Sequence, residues 1–143
     1  MLNNFIVDAM KTHGDSIALI HREKVSYNKL GEFILQVKDM FNYKDHYYLP
    51  TTDEYFVEKF WSMLFNGAIP VIVKEGELNT CTELVYKEDE AFALKTSGTT
   101  GQARFIQREH NKMKLRTQAS PYYMPFDNEV LLESINKAKW NIY

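Results

Sequence analysis

The chain has 143 residues, of which 45% are hydrophobic and 25% are charged. This length and composition are typical of one globular domain with a modest core. The formal net charge of −2 indicates neither a nucleic-acid nor an acidic-membrane partner. A single cysteine excludes an intrachain disulfide and a thiolate metal cluster. The four histidines are scattered without metal-ligand spacing, so we expect them to be structural or solvated.

Targeting signals are not evident in the sequence. The amino-terminal MLNNFIVDAM has no basic segment followed by an apolar one, so we expect no secretory signal peptide. The longest apolar run, 68–73, is too short to cross a bilayer and contains Pro70. The lone thiol is compatible with a reducing compartment. These features predict a cytoplasmic chain without a membrane partner.

The first elements are a helix, a hairpin and a second helix. A first helix that stops at Gly14 is predicted by apolar residues at helical spacing, which are Leu2, Phe5, Ile6, Ala9 and Met10. SIALIHREKVSY, residues 16–27, predicts a β-hairpin with its polar turn at 21–24. Ser26 is expected to cap the next helix. The apolar face of that helix is formed by Leu30, Phe33, Ile34, Val37 and Phe41.

A strand, a helix and a second strand follow. HYYLP, residues 46–50, predicts a short strand. Thr51 and Glu54 have the spacing of a capping box, which would open the next helix. That helix is predicted to run through Phe56, Phe60 and Leu64. Gly67 has the position of a left-handed C-cap, and AIPVIV, residues 68–73, predicts a buried strand.

The charge changes sign across the last part of the chain. Residues 75–90 contain six acidic residues and one lysine, whereas 104–116 contain five basic residues and one acidic residue. AFALK, residues 91–95, predicts a strand that runs directly into a loop, and 111–143 are interpreted as a helical tail of unassigned role. The basic segment is interpreted as a solvated helix face, which disfavours a nucleic-acid interface. The element order predicts an α/β fold.

The loop segment LKTSGTTGQARF, residues 94–105, has the composition of a phosphate-binding loop. Gly98 and Gly101 lack Cβ atoms, which allows backbone N–H groups to approach an anion. Hydroxyl groups that can donate to phosphate or ligate Mg²⁺ come from Thr96, Ser97, Thr99 and Thr100. Arg104 can neutralise a phosphate oxygen. The loop fits neither the Walker nor the Rossmann pattern, so the residues alone leave open an ordinary turn between two strands.

Residues 96–101 match six consecutive residues of the Thr-Ser-Gly-Thr-Thr-Gly-x-Pro-Lys-Gly signature of the adenylate-forming superfamily. That superfamily contains acyl-CoA synthetases, luciferases and the adenylation domains of nonribosomal peptide synthetases. DSIALIHREKVSYNKLGEFILQV, YFVEKFWSMLFNGAIPVIV and EDEAFALKTSGTTG resemble, in the same order, the segments that lead to this loop in the family. The resemblance is strongest over 14–110. It implies that 1–143 form one small domain that resembles part of the N-terminal subdomain of these enzymes, with a shortened sheet.

The resemblance also implies a ligand. In the family, the loop cradles the β- and γ-phosphates of ATP, with Mg²⁺, while a carboxylate attacks the α-phosphate to give an acyl-adenylate and pyrophosphate. The cofactor-binding residues implied here are Thr96, Ser97, Gly98, Thr99, Thr100, Gly101 and Arg104. No catalytic residue and no metal ligand is assigned.

Three departures from the family pattern bear on activity. The Pro-Lys-Gly of the signature is Ala103, Arg104 and Phe105 here. Only residues 74–95 separate the buried strand from the loop, where family members carry a much longer insert. The family's adenine, acyl, ribose, magnesium and catalytic-lysine positions lie beyond the loop, and nothing like them is found in 102–143. We therefore expect no complete adenylation by this chain alone.

Several functions remain open at this point. The chain is interpreted as a non-catalytic or incomplete relative that acts as a binding or structural module, with a small interaction protein as a variant. The alternative is a component of a split ATP-dependent acyl- or aminoacyl-adenylating ligase whose core another chain supplies. A shortened sheet is expected to leave an unpaired edge, which predicts self-association or pairing with another protein chain. No residue specifies an acyl substrate.

Overall fold

The computed structural model describes residues 2–21, 23–97 and 102–113. Three helices lie among these residues: α1 (Asn3–His13), α2 (Tyr27–Val37) and α3 (Phe56–Phe65). The strands are β1 (Ile17–Ile20), β2 (Lys24–Ser26), β3 (His46–Pro50), β4 (Ile69–Val73), β5 (Asn79–Cys81), β6 (Glu90–Ser97) and β7 (Ala103–Glu109). A 3₁₀ turn (Lys38–Met40) follows α2, and residues 110–113 are helical. The α/β prediction is confirmed.

The amino-terminal half follows the sequence pattern closely. β1 and β2 pair antiparallel as the predicted hairpin. Ser26 caps α2, because its Oγ accepts the Lys29 N–H at 3.1 Å. The first core cluster joins α1, the hairpin and α2 through Ile6, Ala18, Leu19, Val25, Tyr27, Leu30 and Ile34. Phe41 was expected on the α2 face; it lies instead beyond the 3₁₀ turn, in extended backbone, and belongs to a second cluster with Tyr47.

The main sheet has five strands in the order β5-β3-β4-β6-β7. The three inner strands β3, β4 and β6 are parallel, and the outer strands β5 and β7 are antiparallel to their neighbours. α3 forms the crossover from β3 to β4, as parallel pairing requires. The carboxyl ends of β3, β4 and β6 therefore meet at one edge of the sheet.

The predicted capping box at the start of α3 is wrong. The helix begins at Phe56, and its N-cap position carries no side-chain cap. The Thr51 hydroxyl donates to the Lys74 carbonyl, at 2.9 Å, so it binds the residue that follows β4, and α3 begins only at Phe56. The Asp53 carboxylate accepts a backbone N–H at the helix entrance, at 2.8 Å. The interpretation failed because Thr51 satisfies a tertiary contact rather than a local one.

The carboxyl end of α3 was predicted correctly. Gly67 follows the C-cap residue Asn66 and has φ of +73°, in the left-handed region where glycine is favoured. A Cβ atom at this position would also meet the ring of Tyr43. The turn directs the chain into β4, the buried central strand expected from AIPVIV.

The end of the described chain differs from the sequence reading. The basic segment was interpreted as helical, but its first part is β7, which pairs with β6 from Ser97–Ala103 to Glu90–Glu109. Arg104 and Arg108 therefore lie on a strand. β5 was also missed, because its three residues lie in the acidic segment. Most of the predicted helical tail, 114–143, lies outside the described residues.

Two buried histidines fasten the fold. His46 Nε2 lies 3.0 Å from both carboxylate oxygens of Glu90, which joins the first residues of β3 and β6. His110 Nδ1 accepts the Leu2 N–H at 3.0 Å and so attaches α1 to the end of β7. Within residues 2–21, 23–97 and 102–113, no helix combines the length and the apolar character that a membrane span requires.

Candidate functional site

An open cleft of about 1040 Å³ lies at the carboxyl ends of β3, β4 and β6. Its lining includes residues that end each of these strands or directly follow them, such as Thr51, Val73, Lys74 and Thr96. In open α/β sheets, ligands bind in the crevice outside the carboxyl ends of the strands. The cleft is therefore the candidate ligand site of the described structure.

The wall of the cleft on the β3 and β4 side is held by backbone contacts. The Thr51 N–H donates to the Val73 carbonyl at 2.8 Å, and the Thr51 hydroxyl donates to the Lys74 carbonyl. The chain then turns at Gly76, whose φ of +123° is strained for any residue with a side chain. These contacts fix where the exposed Lys74 side chain leaves the strand.

Lys95, near the end of β6, is held by two aromatic rings. Its Nζ lies 5.2 Å from the ring centroid of Tyr48 on β3 and 5.5 Å from that of Phe105 on β7. Phe105 is also the cross-strand partner of Lys95. A cation over an aromatic face is attracted by the ring quadrupole, so both rings stabilise the ammonium group where it lines the cleft.

Tyr48 is itself anchored. Its hydroxyl donates to the Glu83 carboxylate. Burial, followed by hydrogen bonds to Cys81 and Glu83, raises the pKa of the Tyr48 phenol above its ordinary value. The phenol is therefore neutral at physiological pH, and its ring keeps a fixed position beneath Lys95.

The structure places the described part of the predicted phosphate loop on a β-hairpin. Thr96 lines the cleft, but its hydroxyl donates to the Arg104 carbonyl at 3.2 Å across the β6–β7 pair. That bond uses the only hydroxyl proton, so the oxygen is left as an acceptor, or a ligand for a cation, rather than a donor to phosphate. Arg104 is exposed and is not among the residues that line the cleft.

Ser97 is the other residue of the predicted 96–101 loop that the structure describes. Ser97 is the last residue of β6 and pairs with Ala103. Gly98, Thr99, Thr100 and Gly101 lie outside the described residues. Their phosphate contacts remain a prediction. Thr96 and Ala103, which lie on either side of this segment, both line the cleft.

Sequence reasoning missed Lys95 and Tyr48 as site residues. The one available signal for Lys95 was its position as the only charged residue of AFALK, immediately before the loop. Strand alternation then places it on the opposite face from Leu94. Nothing in the spacing indicated Tyr48, because its proximity to Lys95 depends on the pairing of β3, β4 and β6.

The charged groups of the cleft fit a phosphate that carries a divalent cation. Lys74 and Lys95 supply positive charge, and the exposed carboxylates of Glu75 and Glu77 line the same cleft. Mg²⁺ is commonly held by one or two carboxylates together with the phosphates of its ligand. Among the described residues, no group of three or more His, Cys, Asp or Glu side chains could hold a metal ion by itself.

Comparison with known proteins gave matches at the level of structure. No protein-family model and no curated protein sequence matches the chain. o-Succinylbenzoate CoA synthetase (MenE) from Bacillus subtilis in complex with AMP matches with a TM-score of 0.62 and 11% identity, over 94% of this chain and 54% of that chain. The same enzyme with the acyl-adenylate intermediate OSB-AMP gives 0.63 and 13%, over 93% and 53%.

The Klebsiella oxytoca NpsA N-terminal subdomain matches with a TM-score of 0.55 and 15% identity, over 76% of this chain and 42% of that chain. The chain thus spans about half the length of the solved structures that it matches. At these identities the likeness concerns the fold. The chain has the fold of the N-terminal subdomain of adenylate-forming enzymes, as the resemblance implied.

Proposed function

We propose that this chain is a phosphate-binding module of the adenylate-forming type, which binds ATP with Mg²⁺ and does not complete adenylation by itself. The observation that carries the proposal is the course of β6. This strand ends at the carboxyl edge of three parallel strands, where Thr96, at the start of the hydroxyl- and glycine-rich segment, lines a cleft together with Lys74 and Lys95. Two matching structures of the MenE enzyme hold AMP and OSB-AMP, which supports a nucleotide as the ligand class.

In this proposal the residues of the cleft and of the loop have different roles in binding the phosphate chain. Lys95 and Lys74 neutralise phosphate oxygens, and Arg104 contributes from the β7 side of the hairpin. The backbone N–H groups of Gly98 and Gly101 approach the phosphate chain, and the hydroxyl groups of Ser97, Thr99 and Thr100 donate to it. Mg²⁺, when bound with the nucleotide, supplies charge neutralisation between adjacent phosphates.

The proposed limit on activity is supported by the share of the fold that is matched. Adenylation depends on holding a carboxylate in line with the α-phosphate and on stabilising the charge that develops there. The likeness covers about half the length of the solved structures, which supports a binding or structural role over a complete reaction.

The half-length match also favours a second candidate. In a split adenylating ligase, another chain would add the remaining core to this one. β7 is the outermost strand among the described residues on the loop side of the sheet, so it is the edge on which such a chain, or a second copy of this one, would pair. We place the protein in the cytoplasm, where ATP is abundant.

Titration calorimetry tests the binding function. The purified chain is titrated at low ionic strength with Mg-ATP, Mg-pyrophosphate and adenosine. We expect saturable binding of Mg-ATP and Mg-pyrophosphate and no measurable binding of adenosine, since the cleft recognises the phosphate chain. Absence of binding by both phosphate compounds at millimolar concentration overturns the proposal.

Carboxylate-dependent exchange of pyrophosphate into ATP tests the limit on activity. We expect no exchange above background by the chain alone across a panel of aliphatic, aromatic and amino-acid carboxylates. Exchange by the chain alone would contradict the non-catalytic interpretation. Exchange that appears only after a co-purified second chain is added would favour the split ligase.

A further inference from the structure

We infer that Lys95, held between the rings of Tyr48 and Phe105, is the principal cation that this cleft offers to a phosphate. The inference rests on the proposed function and deepens it, since it assigns the contact residue and the residue that positions it. Lys95 is the contact residue, and Phe105 is a positioning residue that acts through Lys95.

The first step is the location of the ammonium group. β4 lies between β3 and β6, yet Lys95 on β6 reaches the Tyr48 ring on β3 at 5.2 Å. Its side chain therefore extends across the face of β4 toward the end of the cleft. The Phe105 ring, 5.5 Å from Nζ, contacts it from the β7 side. The ammonium group thus lies near one aromatic ring from β3 and one from β7.

The second step is the state of its charge. Among residues 2–21, 23–97 and 102–113, no carboxylate forms an ion pair with Lys95, although Lys29, Lys38, Lys59 and Lys112 each form one. The Glu83 carboxylate accepts the hydroxyl of Tyr48, whose ring lies beside Lys95. The half-buried ammonium therefore has aromatic rings but no described counter-anion. A phosphate would supply it.

The third step compares Lys95 with the other cations of the region. Lys74 and Arg104 are exposed, and neither has a described contact that orders its charged group. Ordering a long side chain on binding costs entropy, and that cost is reduced for a group already held in place. Lys95 and Arg104 also lie on opposite faces of the hairpin, because Lys95 pairs with Phe105 and Thr96 pairs with Arg104.

This assignment gives Phe105 a role. The loop signature has glycine at this position, and a phenylalanine there removes a flexible residue. The structure places its ring against Lys95, next to the loop. Lys95, which precedes the loop, is thus a cation held by Phe105, which follows the loop. This cation lies at a different position from the signature lysine.

The test uses Mg-pyrophosphate and Mg-ATP as probes of the full chain, with calorimetry at several salt concentrations. Lys95→Met is expected to weaken binding of both at least tenfold, and Lys95→Arg to remain within about threefold of the unmodified chain. Phe105→Leu is expected to weaken binding two- to fivefold, because the charge stays but its position is released. Arg104→Met is expected to cost no more than about threefold.

The matched control is Lys112→Met, which removes the same charge beyond the opposite end of β7 and should leave both affinities unchanged. The salt dependence of the binding affinity distinguishes loss of a charged contact from a change in the fold. The affinity should depend less on salt in Lys95→Met, since one screened attraction is lost, and should keep its salt dependence in Phe105→Leu. Circular dichroism confirms folding of each variant. If Lys95→Met does not fold, the affinities of Lys95→Arg and Phe105→Leu test the assignment instead. Unchanged affinity in Phe105→Leu then overturns the assignment.

The outcomes distinguish this inference from the proposed function. If the unmodified chain binds neither probe, the proposed function fails and the assignment of Lys95 fails with it. If the unmodified chain binds and Lys95→Met binds equally well, only the assignment is overturned. A tenfold loss in Arg104→Met alone would then identify Arg104 as the principal cation.

Discussion

Replacing Glu90 with Gln is expected to destabilise the fold strongly, because Glu90 is the buried acceptor on which three donors converge. The side chains of His46 and Glu90 are 3% and 0% exposed. One Glu90 oxygen accepts the Lys87 N–H at 3.0 Å, and the other accepts from Gln107 Nε2 at 3.1 Å, while His46 Nε2 lies 3.0 Å from both. An ionised carboxylate only accepts, so it satisfies all three donors.

A glutamine has the same shape but presents one oxygen and one NH₂ group. Whichever way its amide is oriented, the NH₂ faces either the Lys87 N–H or the Gln107 amide donor. Removing one partner of a buried pair costs about 3–5 kcal/mol, and because Gln retains one acceptor we expect about 2–4 kcal/mol. With a denaturant slope of about 2 kcal/mol/M, the middle of the usual range in urea, the urea midpoint should fall by about 1–2 M.

Urea unfolding followed by far-ultraviolet circular dichroism at pH 7.5 measures this loss. The matched control is Glu88→Gln, an exposed glutamate two residues away, which should change stability by less than about 0.5 kcal/mol. A Glu90→Gln midpoint equal to that of Glu88→Gln would refute the reasoning. A double-mutant cycle with His46→Gln should give a coupling energy of about 1–3 kcal/mol.

Two further predictions concern His110 and Gly67. Burial lowers the pKa of His110, with Asp89 acting in the opposite direction, and its Nδ1 accepts the Leu2 N–H. The His110 imidazole therefore binds a proton more readily in the unfolded chain. Its protonation leaves the free energy of unfolding unchanged above about pH 6.5 and lowers it as the pH decreases toward the lowered pKa. Unfolding midpoints between pH 7.5 and 5.5 should depend less on pH in His110→Asn, and equal slopes would contradict this. Gly67→Ala should lower the free energy of unfolding by about 1–2 kcal/mol, because alanine disfavours the left-handed backbone at this position. The loss should be smaller in Gly67→Asn, since asparagine tolerates that conformation better, and in both variants the exposed Tyr43 ring can move aside for the new Cβ atom. Thermal unfolding checks it, and an Ala variant at least as stable as the Asn variant would contradict it.

The elements that the sequence predicts well are those whose signals are local. Ser26 caps α2 with a hydrogen bond three residues along the chain. Gly67 ends α3 through its own backbone conformation. The hairpin at 17–26 pairs neighbouring segments. In each case the physical cause lies within a few residues of its effect, so pattern and spacing were sufficient.

The errors arise where a distant contact wins over a local one. Thr51 has the spacing of a capping residue, but its hydroxyl binds the Lys74 carbonyl, 23 positions away. β7 carries arginine and glutamine and lacks a continuous apolar face, so it reads as a solvated segment. Its strand conformation comes from its pairing with β6. Pairing of this kind is not encoded in the spacing of residues 103–109.

The candidate site divides in the same way. The hydroxyl- and glycine-rich loop could be recognised from composition, and the fold that the resemblance implied is confirmed. The Lys95 ammonium group could not be recognised as part of the site, because Lys95 is brought to Tyr48 only when β3, β4 and β6 pair. His46 and Glu90, 44 positions apart, are likewise brought together by the sheet. Sequence spacing contains no information on either pair.

The topology also bears on the alternative that composition left open, an ordinary turn between two strands. A hydroxyl-rich turn at the end of an isolated hairpin would be surrounded by solvent, and its glycines would serve only the turn. Here β6 is parallel to β4, and β4 is parallel to β3, so β6 ends beside the ends of two other strands. Those ends present the Lys74 side chain and a backbone held by Thr51, and Lys95 adds an ammonium group without a described carboxylate partner. An ordinary turn requires none of these features, whereas an anion site requires positive charge, close backbone approach and an open cleft together. Positive charge and an open cleft lie together at this edge of the sheet, which supports the proposed phosphate loop over the ordinary turn.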